Sequence, residues 1–87
     1  MQQFPELNEN QVALLRAELS TGHVLDENFK LAMNDAQIVY TVFNDVDKAL
    51  NFAKDLVEKN GAFECVVYNK DKDVIKYITS DSESKMS

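Results

Sequence analysis

Apolar positions along the chain divide into two helix-like stretches and several strand-like ones. In "LNENQVALLRAEL", Val12, Leu15 and Leu19 recur at the spacing of one helix face. Asn8 stands where a cap would, Gln11 falls at the third helical position, and Leu7 with Val12 has the spacing of a hydrophobic staple. Gly22 supplies a stop signal. The pattern predicts a first helix here. Ala13, Leu14 and Ala17 fall on a second side of that helix, which would be buried within the domain or against another chain.

The next segment, "HVLDENFKLAMND", carries two patterns. Phe29, Leu31 and Met33 alternate as in a short strand, while Phe29, Ala32 and Met33 behind Asp26 fit a capped helix. The strand is the expectation taken. "QIVYTVF" (37–43) is rich in β-branched and aromatic residues and predicts a strand. Asn44 then opens "DVDKALNFAKDLVEKN". At about 100° per residue, Val46, Ala49, Leu50, Phe52, Ala53, Leu56 and Val57 form one arc and the charged residues the other. Asp45 and Asp47 suit the positive end of that helix, and Gly61 closes it. Two more strands follow, "AFECVVY" and "VIKYIT", joined by "NKDKD".

The expected fold class is therefore α+β, in the order helix, short strand, strand, helix, strand, strand. Two helices would lie against one face of a small, mostly antiparallel sheet. Residues 1–79 would make a single domain, and the polar stretch 80–87 a disordered tail. With 87 residues, the core must be small, and self-association would add to it.

Candidate chemistry is sparse. Asn69, Asp71 and Asp73 alternate as calcium ligands do, but Val74 stands where the loop requires glycine and Ser80 where it requires a bidentate glutamate. Turn formation explains the same residues. Zinc needs three or four ligands, and His23 and Cys65 are single and distant. Two glycines make neither a phosphate-binding loop nor a dinucleotide fingerprint. The expectation is no enzyme, no cofactor and no metal.

The net charge of −6 comes without a lysine or arginine cluster, which argues against direct nucleic-acid binding. Glu6, Glu9, Glu18, Asp26 and Glu27 face Arg16 alone in the first third of the chain. They form a candidate acidic patch for a basic partner. The first ten residues lack a basic start and an apolar run, and no stretch has the length of a membrane span. A cytoplasmic protein with one reduced thiol is the expectation.

Aromatic residues carry the main functional expectation. Tyr40, Tyr68 with Val66, and Tyr77 with Ile75 stand on strand faces that could lie together opposite the second helix. Left uncovered, such a face would be an interface. Tyr40, Val66, Tyr68, Ile75, Tyr77 and Leu14 are the candidate interface residues. The first reading is a non-catalytic protein-interaction module, a homodimer. The alternatives are an acidic inhibitor or decoy of a basic nucleic-acid-binding protein, and a small-ligand or enzyme accessory domain.

Overall fold

The structure is a computed structural model and describes residues 2–80. It is an α+β domain in which one helix packs on an antiparallel sheet. In chain order the elements are β1 (Val12–Glu18), β2 (Val24–Leu25), β3 (Tyr40–Phe43), α1 (Val46–Lys59), β4 (Phe63–Tyr68) and β5 (Val74–Ile78). β1 lies in the middle. Along one side it pairs with β4, and along the other it is shared by β3 at Val12–Leu15 and β2 at Arg16–Ala17. β5 follows β4 and forms the far border of the sheet.

The first predicted helix is thus a strand, and the expected pair of helices reduces to one. Every residue from Val12 to Ala17 is buried. A strand covered on both faces shows no polar alternation, so its apolar run also satisfies helical spacing. The expected cap residues do meet, but as a turn: Gln11 N–H donates to Asn8 O, and Asn8 N–H donates to Gln11 Oε1. Gly22 ends no helix. Its φ of 75° serves the reversal between β1 and β2.

Residues 26–38 also depart from expectation. Leu31 alone bridges to Leu25, and the rest is a loop. Side chains there take the amides a ladder would have used. Asp26 accepts from the backbone of Asn28 and Lys30 and from Gln37 Nε2, while Gln37 Oε1 accepts from Met33 and Asn34. These bonds, led by the one from Gln37, hold the Asp26 carboxyl below its ordinary pKa. Phe29, at φ 63°, stacks on Phe63 with ring centroids 5.2 Å apart.

Elsewhere the pattern and the fold agree. α1 follows the predicted arc, burying Ala49, Ala53 and Val57, and its cap is Asp45, one residue beyond the expected Asn44. Its apolar stripe covers Val12, Leu14, Cys65, Val67 and Ile78 on the sheet. Ser80 is half-buried beside Gly61, where a side chain would meet its Oγ at 3.3 Å. The rest of the expected tail, 81–87, lies outside the described residues.

Leu14 consequently sits at the centre of the core, fully buried, and does not face out from a helix. Leu14→Ala is expected to lower stability by about 2–5 kcal/mol, the range for a leucine deleted from a packed interior. Urea unfolding followed by circular dichroism measures it. A loss under about 1 kcal/mol would mean that β1 is not the buried centre.

Candidate interaction surface

Strand alternation sorts the candidate residues between the two faces of the sheet. Leu14 and Cys65 lie under α1. Opposite α1 lie Ala13, Leu15 and Ala17 of β1, with their neighbours Tyr40, Val42, Glu64, Val66 and Tyr68; Tyr77 pairs with Val66 from β5. Tyr40, Val66, Tyr68 and Tyr77 are therefore brought onto one face, as their strand positions suggest. Ile75 is not. A bulge in the β4–β5 ladder opposite Val67 and Tyr68 turns it to the other side. There it lines a cleft with Val12 and Val46 at the start of α1.

Among the described residues no second helix covers the tyrosine face. What covers part of it is the segment before β1. Phe4 packs edge-on against both Tyr40 and Tyr68, at 5.2 and 5.8 Å between centroids, and the two tyrosines meet each other at 6.4 Å. Lys72 Nζ stands 5.7 Å from the Phe4 ring. Gln2 Oε1 accepts from both Val39 N–H and Tyr40 N–H, at 2.9 and 3.1 Å. Burial, together with the adjacent Tyr68, pushes the Tyr40 phenol above its ordinary pKa. Neither Gln2 nor Phe4 was singled out from the sequence. The available signal was a lone Phe-Pro pair in a polar stretch.

Beyond this strap the surface is open. Tyr77 is 51% exposed and Val42 42%. The Tyr77 phenol is raised mainly by its hydrogen bond to Glu64, and secondarily by burial. On β5 itself Val74 is 57% exposed and Ile75 37%. β5 has no strand partner beyond it among the described residues, so alternate N–H and C=O groups turn outward.

Of the candidate acidic residues, Glu9 stands before β1 and Glu18 at its end. Glu9 lies 3.8 Å from Lys70, and Glu18 lies 3.9 Å from His23. Asp26 is buried and committed to its loop. In "NKDKD" the Asn69 side chain is committed in the same way: its Oδ1 accepts from Asp71 and Asp73 N–H, which closes the β4–β5 turn. Among the described residues no three potential ligands form a metal-binding group, and no helix is long and apolar enough to cross a membrane.

Cys65 is fully buried under α1, and burial raises its thiol to about 11, against a smaller opposing pull from Arg16. It should resist a thiol reagent at pH 8 in the native protein and react fully once unfolded. Because its folded pKa is the higher one, its contribution to stability is complete below about pH 9 and is lost as pH rises towards 11. Rapid native labelling would place the thiol at the surface. Comparison with protein-family models, with curated proteins and with solved structures gave no match, so the functional reading rests on these residues alone.

Proposed function

We propose that the chain is a non-catalytic protein-interaction module that associates with a second copy of itself along the β5 border. The observation that carries this reading is the coincidence of a strand edge unpaired among the described residues with three large exposed apolar side chains, Val74, Ile75 and Tyr77. An unpaired edge finds its complement in its own equivalent about a two-fold axis, with continuous main-chain bonding. A small core gives such pairing a thermodynamic motive.

Lys76 selects the register. Centring the axis on Lys76 would set like charges opposite one another, which antiparallel pairs disfavour. Centring it on Tyr77 sets the two tyrosines opposite one another and Lys76 against Ile78. The bulge and the lysine also discourage unlimited edge-to-edge growth, so a closed pair is the expected product. The non-catalytic reading draws on three side chains: Cys65 is fully buried, Asp26 is held by its loop, and Glu9 pairs with Lys70 at the surface.

Light scattering at tens of micromolar should return twice the 9.9 kDa chain mass. Tyr77→Glu should weaken association at least tenfold, about 1.4 kcal/mol, with an unchanged circular dichroism spectrum. A wild-type protein that stays at 9.9 kDa under those conditions contradicts the reading.

A further inference from the structure

Of the eight asparagines in the chain, Asn60 alone precedes a glycine. We infer that Asn60–Gly61, at the junction of α1 and β4, is a modification site at which the asparagine side chain closes on the next backbone nitrogen and is converted to aspartate or isoaspartate. The inference is independent of the self-association proposed above. Water is the only co-reactant. Gly61 N attacks Asn60 Cγ, the Cγ–Nδ2 bond breaks, and the proton given up by Gly61 N leaves with Nδ2 as ammonia. Water then opens the five-membered imide. Attack at Cγ yields aspartate. Attack at the main-chain carbonyl carbon yields isoaspartate, whose chain runs on through Cβ and Cγ.

The fold leaves this reaction room. Asn60, Gly61 and Ala62 are all exposed, so solvent reaches the reacting atoms. Gly61 has no Cβ to shield its nitrogen. Ring closure requires the Asn60 Cα–C bond to turn from its ψ of 100°, which brings Gly61 N round to Cγ. Two contacts resist that turn. Ala62 N–H donates to Asn60 Oδ1 at 3.0 Å, and Phe63 N–H donates to Asn60 O at 3.2 Å. Both close the exposed end of α1, where helices fray. Asn69 differs on both counts: a lysine follows it, and its Oδ1 holds two amides.

The two products act differently on the fold. Aspartate keeps an acceptor for Ala62 N–H but adds a negative charge at the C-terminal end of α1, where the helix dipole disfavours it. Isoaspartate lengthens the main chain by one methylene and turns the carbonyl that receives Phe63 N–H into a free carboxylate. Phe63 begins β4 opposite Glu18 and carries the ring stacked on Phe29. The lengthening therefore falls on the entry to a strand that pairs with β1.

The test follows the full chain at pH 8 and 37 °C by digestion and mass spectrometry, with the other asparagines as internal standards. Asn60 should convert at least tenfold faster than any of them, giving two separable products, and faster at pH 9 than at pH 7. Gly61→Ala should slow the conversion at least tenfold. Because that Cβ would meet Ser80 Oγ at 3.3 Å, Asn60→Gln serves as a second variant, and its longer side chain should likewise stop the reaction. In the aged wild-type protein the isoaspartate form should show displaced Ala62 and Phe63 amide signals. An Asn60 that stays intact in the native chain, or converts no faster than the other asparagines, overturns the site. Conversion that leaves the Ala62 and Phe63 amides in place overturns its effect on β4.

Discussion

The structure depends on β1 being paired along both of its edges and covered on both of its faces. Val12 and Leu14 supply the floor on which α1 packs, and Ala13, Leu15 and Ala17 form the floor of the tyrosine face. Because β3 and β2 share one edge, a single strand fixes the register of three others. Arg16 shows how strict that enclosure is. Its guanidinium is buried, donates to Thr41 Oγ1 at 2.7 Å and Val39 O at 3.0 Å, and has an orphaned Nε; desolvation lowers its pKa. A charged group inside is costly, and here it ties β1 to the approach to β3.

That same enclosure explains what could and could not be read from the residues. α1 was legible because it has a wet face: the contrast between Ala49, Ala53, Val57 and their charged neighbours displays its period. β3, β4 and β5 were legible through β-branched and aromatic content between turn residues. β1 has no wet face, so its period is hidden, and the turn formed by Asn8 and Gln11 imitates a helix cap. The loop 26–38 was hidden for another reason. Asp26 and Gln37 hold it through side chains, which leave no hydrophobic rhythm.

The candidate surface was partly visible for the same physical causes. Alternation suggested that Tyr40, Val66, Tyr68 and Tyr77 could share one side of the sheet, and the strand registers bring them there. It failed at Ile75, where one extra residue turns the side chain over, and at Leu14, where the element type had been misread. The strap was invisible, since Gln2 meets Val39 and Tyr40 across separations of 37 and 38 residues. Local pattern carries no trace of such contacts. They turn an aromatic sheet face into a cleft with one occupant and an open margin beside β5.

All of this rests on the identity of β1, and a nuclear Overhauser spectrum of the native protein addresses it directly. A central strand requires Ala13 to show cross-strand contacts to both Val42 and Tyr68, and Leu15 to both Tyr40 and Val66. Carbon shifts from Val12 to Glu18 must also be those of extended backbone. Sequential helical contacts over the same residues, without the cross-strand ones, would contradict the account. The core under α1, the tyrosine face and the β5 border would then all lose their foundation.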